Sequence, residues 1–169
     1  MIATTGYNEE QVTHIEKASN HIPIFFSANM ALGVSLLKEL AVKAACVLGM
    51  QYNIEIIEKH HNQKVDAPSG TALMLANAVS QAVPYDAKYM YDRHSTRQKR
   101  TPEEIGIHSI RGGTIVGEHE VMFAGKDEVI SLTHIAYSKS IFANGAVRAA
   151  IFMQDKCAGL YEMSDLVNN

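Results

Sequence analysis

The sequence contains no tryptophan and only two cysteines, Cys46 and Cys157. Two cysteines cannot build a disulfide framework, so the fold rests on its apolar core and suits a reducing cytoplasm. No apolar run approaches the roughly 20 residues that a membrane-spanning helix needs. The opening residues Met1-Ile2-Ala3-Thr4-Thr5-Gly6 lack the basic and apolar regions of a secretion signal. Charge of either sign is not in large excess: the net charge is -3 and the isoelectric point is near 6.2. That balance argues against a general affinity for nucleic acid or for anionic membrane. Hydrophobic residues at 47% and charged residues at 20% exclude disorder and a low-complexity or collagen-like build. A length of 169 residues predicts one domain, or one with a small appendage. Eight histidines are the compositional excess, and they matter only where they cluster.

Periodicity orders the chain into elements. Ile2 to Gly6 reads as a strand end running into a turn, and Asn8-Glu9-Glu10 caps a helix that continues to about Ser19, since a capping side chain and early acids suit a helix N-terminus. The apolar run 22–27 reads as a buried strand. From Met30 to Leu48, Leu32, Leu36, Leu37, Leu40, Ala44, Val47 and Leu48 recur at helical spacing, and Gly49 ends the helix. Residues 51–59 alternate as a half-buried strand. An Ala- and Leu-rich helix covers 71–83 and stops at Pro84. Residues 85–104 lose periodicity and hold Arg93, His94, Arg97, Lys99 and Arg100, which predicts a mobile, solvated loop. Strands follow near 105–111, 114–123 and 128–136, with Gly112-Gly113 and Gly125-Lys126-Asp127 as hairpin signals. A last helix, 140–153, is interrupted by Asn144-Gly145.

These elements predict an α+β unit, two helices on a mixed or antiparallel sheet of about four strands. Helices suffice for one sheet face only. The other carries Ile, Val, Met and Tyr side chains that need cover, from a second copy or from the long loop.

Chemistry concentrates in Glu58-Lys59-His60-His61-Asn62-Gln63-Lys64-Val65-Asp66-Ala67-Pro68-Ser69-Gly70-Thr71, where a strand ends and a helix begins. Such places hold ligands because the strand fixes side chains and the helix offers free N–H groups. Pro68-Ser69-Gly70-Thr71 has the form of an N-cap, so a carboxylate there would meet the Gly70 and Thr71 amides and the Thr71 hydroxyl. His60 and His61 would alternate faces if the strand persists, and Lys64 adds a cation. Two imidazoles, an ammonium and a helix N-terminus suit an anionic, proton-accepting substrate. Solvated histidines beside an ordinary cap are the plainer reading of each piece alone; their concurrence within a dozen residues favours a site. Zinc on His60, His61, Asp66 and His119 is not expected, because H-E-x-x-H and C-x-x-C spacings are absent. Ser69 lacks the G-x-S-x-G setting of a nucleophile.

The run His-His-x-x-Lys-x-Asp-x-Pro-Ser-Gly-Thr resembles the signature of the 4-hydroxy-tetrahydrodipicolinate (dihydrodipicolinate) reductase family. The likeness extends over nearly the whole chain, through Ala3-Thr4-Thr5-Gly6, Ser27-Ala28-Asn29-Met30, Arg111-Gly112-Gly113, Val116-Gly117-Glu118-His119 and Phe142-Ala143-Asn144-Gly145-Ala146-Val147-Arg148. The resemblance implies a reductase of lysine and diaminopimelate biosynthesis, using NADH or NADPH on a small cyclic dicarboxylate. It implies His60 as general acid/base, Lys64 as proton donor, His61 as a substrate contact, and Gly70 and Thr71 as holders of a substrate carboxylate. Ala3, Thr4, Thr5, Ser27, Ala28, Asn29 and Met30 would line the nicotinamide. It further implies a homotetramer joined through sheet faces.

Members of the family begin with a dinucleotide-binding domain bearing a Gly-rich fingerprint. None of the eleven glycines here forms G-x-G-x-x-G. The expectation is a C-terminal portion in which binding of NADH or NADPH is incomplete. Residues 1–29 would be a remnant of the Rossmann-type domain, 30–140 the substrate, catalytic and oligomerisation domain, and 141–169 a helix and tail returning to the first. A second reading is an inactive assembly and dicarboxylate-binding module, and a third an unrelated α+β binding domain.

Overall fold

Strand β2, Asn53–His60, sets the architecture. Its buried positions alternate, so Ile54, Ile56 and Glu58 share one face with His60, as a two-residue side-chain period dictates. The computed structural model describes residues 1–169 and divides them into two units, Leu37–Tyr137 and a second made of Met1–Leu36 with Ser138–Asn169.

In the unit Leu37–Tyr137, β2 lies at the centre of a mixed five-stranded sheet. Its other strands are β3 (Lys88–Met90), β4 (Glu104–Arg111), β5 (Gly117–Ala124) and β6 (Val129–Ala136), in the order β3-β4-β2-β5-β6. β4 runs parallel to β2, whereas β5 runs antiparallel to it. A parallel neighbour requires a crossover, and α3, Gly70–Ala82, supplies it. Because β2 separates β4 from β5, the Gly112-Gly113 segment is not the hairpin that its glycines predict. It carries the chain past the end of β2, where the Gly112 amide donates to the His60 carbonyl (2.9 Å). The β5–β6 connection is a true hairpin; Asp127 takes a positive φ of 68° and the Gly125 amide donates to the Glu128 carbonyl.

The core lies between one sheet face and two helices. α3 contributes Ala72, Leu75, Ala76 and Val79, and α2, Leu32–Leu48, contributes Leu37, Ala41 and Ala45. These meet Ile54, Ile56, Ile105, Ile107, Val121 and Phe123 of the sheet. The buried stripe of α2 thus includes the small residues Ala41 and Ala45, while Leu36, Leu40 and Val47 of the predicted stripe are exposed.

The charged stretch before β4 corrects the expectation of a solvated loop. It contains β3, and two arginines fold back onto the sheet. Arg93 pairs with Glu104 (2.6 Å), and Arg100 Nε with Glu55 (3.0 Å). Glu104 is buried, and its hydrogen bond from Arg93 holds the carboxyl below the usual range. Buried carboxylates need cations, and this requirement turns an apparently polar loop into a strap. On the sheet face away from the helices, Ile110, Val129 and Ile135 remain exposed.

The unit of Met1–Leu36 and Ser138–Asn169 opens on Ile2, which bridges Phe26 in parallel. Strand β1, Pro23–Phe25, pairs in parallel with β7, Gly159–Tyr161. Helix α1, Glu9–Ser19, begins with the predicted cap: Asn8 and Gln11 exchange side chain to backbone hydrogen bonds at 3.0 and 2.9 Å. Phe25, Met30, Ala149 and Met163 form the small core, drawing on α4, Ser140–Phe152, and α5, Met163–Val167. α4 continues unbroken through Asn144-Gly145. No helix is long and apolar enough to cross a membrane.

Candidate active site

Along the helix-covered face, β2 changes character from Ile54 and Ile56 to Glu58 and His60. Its neighbours change with it: Ser109 and Arg111 stand beside Glu58 and His60 on β4, and His119 stands opposite Glu58 on β5. The apolar core therefore ends in a polar cluster next to the first turn of α3.

Glu58 is fully buried and organises the cluster. Arg111 clamps it with two hydrogen bonds, to Oε1 at 2.6 Å and Oε2 at 2.8 Å. The Ser69 amide donates to Oε1 at 3.1 Å, and His60 Nδ1 lies 2.5 Å from Oε2. Burial alone would raise its pKa, but hydrogen bonds from Arg111, Ser109 and His60 overcome that and hold the carboxyl at about 2. One anionic side chain thus ties His60 to the residue that starts α3.

Ser69 is the N-cap of α3, its Oγ accepting from the Ala72 amide at 3.1 Å. The same Oγ lies 3.0 Å from His119 Nε2. His119 is 4% exposed; burial, reinforced by the charge of His60, lowers its pKa to about 4, so it is neutral at pH 7. The rings of His60 and His119 meet edge to face at 5.1 Å.

β2 ends at His60, so His61 lies beyond the strand in a turn where the Lys64 amide donates to its carbonyl (3.2 Å). Lys64 Nζ pairs with Asp66 at 2.7 Å, and that hydrogen bond lowers the Asp66 pKa. Gly70 and Thr71 occupy the first turn of α3, and a Cβ at Gly70 would point into open space. The unit therefore brings His60, His61, Lys64, Gly70 and Thr71 into one strand-end and helix-start segment, with His60 and Ser69 sharing the Glu58 carboxylate. Asp66 and His119 have other partners, a lysine and a serine.

Ala3, Thr4 and Thr5 belong to the other unit and follow Ile2, while Ser27, Ala28, Asn29 and Met30 follow the paired Phe26. The Ser27 amide donates to the Ile2 carbonyl at 3.2 Å, joining the two loops at the carboxyl ends of adjacent parallel strands. Met30 is buried, 5% exposed, with its side chain in the small core and its carbonyl against Gly145, where a Cβ would stand 1.7 Å away.

Sequence reasoning gave Glu58 and Arg111 no role of their own. Alternation in β2 holds the available signal: Glu58 shares the buried row of Ile54 and Ile56, and a carboxylate in such a row requires a cation. The partner lies 53 residues along the chain, beyond any local pattern.

Fold and cluster together define an α+β domain with histidines, a lysine and a clamped carboxylate gathered at a strand end and a helix N-terminus. The family model described as "Dihydrodipicolinate reductase, C-terminus" matches residues 33–167. The 4-hydroxy-tetrahydrodipicolinate reductase of Caldanaerobacter subterraneus subsp. tengcongensis is 54% identical over 167 residues, 99% of this chain and 66% of that protein. That of Clostridium tetani is 49% identical over 100% of this chain and 66% of its own length. The solved structure titled "Dipicolinate bound Dihydrodipicolinate reductase from Paenisporosarcina sp. TG-14" superposes with a TM-score of 0.76 at 26% identity, covering 95% of this chain and 61% of that one. The chain belongs to the dihydrodipicolinate reductase family, matches its C-terminal part, and spans 66% of the length of these curated relatives.

Proposed function

We propose that the chain supplies the substrate-binding and proton-donating part of an NADH- or NADPH-dependent reductase that converts 4-hydroxy-tetrahydrodipicolinate to tetrahydrodipicolinate, in lysine and diaminopimelate biosynthesis in the cytoplasm. The observation that carries this reading is the buried Glu58 carboxylate shared by His60 and the start of α3. It puts an imidazole for proton transfer and a helix N-terminus for an anion into one rigid frame. Lys64, one turn from His60, adds the cation that a second carboxylate needs. The Paenisporosarcina relative is described as binding dipicolinate, a planar cyclic dicarboxylate, which supports the substrate class.

In this reading His60 is the general acid/base and Lys64 the proton donor; His61 contacts substrate, and Gly70 and Thr71 hold one carboxylate through N–H groups and a hydroxyl. Because Lys64 already pairs with Asp66, substrate binding exchanges one carboxylate partner for another. Ala3, Thr4, Thr5, Ser27, Ala28, Asn29 and Met30 would hold the nicotinamide end of NADH or NADPH, which supplies hydride when bound. Their position at the carboxyl ends of parallel strands fits a nucleotide edge, and no G-x-G-x-x-G stands in the chain to cradle pyrophosphate. Once the ring hydroxyl has left as water, hydride added to one ring carbon would make the neighbouring carbon basic, and the protonated His60 or Lys64 would complete the reduction by giving that carbon its proton. Residues 30–140 would form the substrate domain, 1–29 and 141–169 the parts belonging with the dinucleotide domain. A second copy would cover Ile110, Val129 and Ile135 in a homotetramer, which light scattering reads directly.

Calorimetric titration of the 169-residue chain with pyridine-2,6-dicarboxylate tests the site. Binding that weakens in Lys64→Ala is expected; no heat at millimolar ligand overturns the assignment.

A further inference from the structure

We infer that Glu58, itself held by Arg111, is a positioning residue that fixes His60 as its Nδ1–H tautomer and leaves Nε2 to exchange the proton with substrate. This rests on the reading of His60 as the acid/base group and assigns which nitrogen acts and what keeps it so. Besides the Ser109 hydroxyl, four donor atoms converge on the Glu58 carboxylate. Oε1 accepts from Arg111 (2.6 Å) and from the Ser69 amide (3.1 Å); Oε2 accepts from Arg111 (2.8 Å) and faces His60 Nδ1 (2.5 Å). A guanidinium and a backbone amide only donate, and an ionised carboxylate only accepts. A hydrogen bond between His60 and Oε2 therefore requires the proton on Nδ1. In the neutral ring the lone pair is then on Nε2.

The surroundings leave that arrangement unopposed. Arg111 is fixed further by backbone carbonyls: Nη2, which donates to Glu58 Oε1, also donates to the Asp66 carbonyl at 2.7 Å, and Nη1 donates to the Ile110 carbonyl at 2.8 Å. From β5, His119 packs edge-on against His60 and is neutral, its own Nε2 beside Ser69 Oγ. Lys64 is paired with Asp66. Gly117, also on β5, makes room for the working nitrogen: a Cβ there would stand 3.2 Å from His60 Nε2. Carboxylates behind catalytic or ligating imidazoles act in this way, by orienting the ring and selecting its tautomer. In the reaction, the doubly protonated His60 releases its Nε2 proton to the basic position of the substrate. It ends as the neutral Nδ1–H form and is recharged from solvent, while Glu58 stays ionised throughout.

Nitrogen-15 NMR of histidine-labelled chain at pH 8 reads the tautomer, with the His60 signals identified by their loss in His60→Gln. The wild-type ring is expected to show a protonated Nδ1 and an unprotonated Nε2; a predominant Nε2–H form overturns the inference whatever a variant at Glu58 does. In Glu58→Gln the amide oxygen keeps Arg111 Nη2 and the Ser69 amide, and the NH2 group takes the Oε2 position, where Arg111 Nη1 cannot accept from it and His60 Nδ1 can. The expected result is a flip to the Nε2–H tautomer in most molecules, and retention of Nδ1–H contradicts the inference. Titration of the same wild-type sample with pyridine-2,6-dicarboxylate separates the two claims. Failure to bind refutes the proposed substrate while the tautomer assignment stands, and binding with the wrong tautomer refutes only the positioning role.

Discussion

Acidification should loosen the unit Leu37–Tyr137 in a window set by His119. The folded imidazole has a pKa of about 4, whereas its ordinary value is 6.5. Between these values the unfolded chain binds a proton that the folded one refuses, so stability rises with pH across the window. The contribution is neutral above pH 6.5 and fully unfavourable below 4. At 1.36 kcal/mol per pKa unit, the change is about 3 kcal/mol, a large share of the 5–15 kcal/mol, roughly, that holds a typical domain together. Screening takes little from this figure, because the side chain is buried behind Ser69 and His60. Glu58 acts separately: its folded pKa of about 2 lies below the ordinary 4.5, so its stabilisation is complete above pH 4.5 and lost as pH falls toward 2. Urea unfolding followed by far-ultraviolet circular dichroism at pH 7, 5.5 and 4 measures the effect. His119→Gln keeps an amide where Nε2 meets Ser69 and removes the titration. The wild type should lose about 3 kcal/mol more than the variant between pH 7 and 4. Equal losses in the two proteins, or a wild type unchanged down to pH 5, would refute the assignment of a buried neutral histidine.

Other perturbations test the packing around the site. In Gly106→Ala the new Cβ would fall 1.6 Å from Glu55 Oε2, driving Glu55 from Arg100 and His108 (3.0 and 2.8 Å). A loss of about 1–2 kcal/mol in urea unfolding is expected, and it should shrink in the Glu55→Ala background, where the clash is gone. Arg111→Ala leaves Glu58 buried without its cation and should cost about 3–5 kcal/mol in the same assay. Gly117→Ala presses on His60 Nε2 and should weaken pyridine-2,6-dicarboxylate binding in calorimetry about tenfold, while stability changes by less than about 1 kcal/mol.

Local chemistry made much of both units readable in advance. The Asn8 cap, the alternation of residues 53–60 and the Ser69 cap each depend on neighbours within four positions, and each stands where the sequence puts it. What local pattern cannot carry is strand order. Gly112-Gly113 looks like a hairpin from its residues alone, yet β2 intervenes because its parallel partner β4 must return through α3. Arg93 and Arg100 misled for a related reason. Charges 11 and 45 residues from their partners resemble a solvated loop until the sheet supplies Glu104 and Glu55. Within the candidate site, His60, Lys64, Gly70 and Thr71 stand close together in sequence. Glu58 takes its meaning from Arg111, and His119 from Ser69, only after β4 and β5 have been set against β2.

The central claim is that the end of β2 and the start of α3 form one dicarboxylate site. Amide chemical-shift mapping of the 169-residue chain, as pyridine-2,6-dicarboxylate is added to saturation, tests it most directly. The account predicts saturable shifts concentrated at His60, His61, Lys64, Gly70 and Thr71, lost together in Lys64→Ala. Saturable shifts centred elsewhere, or none at millimolar ligand, would contradict it.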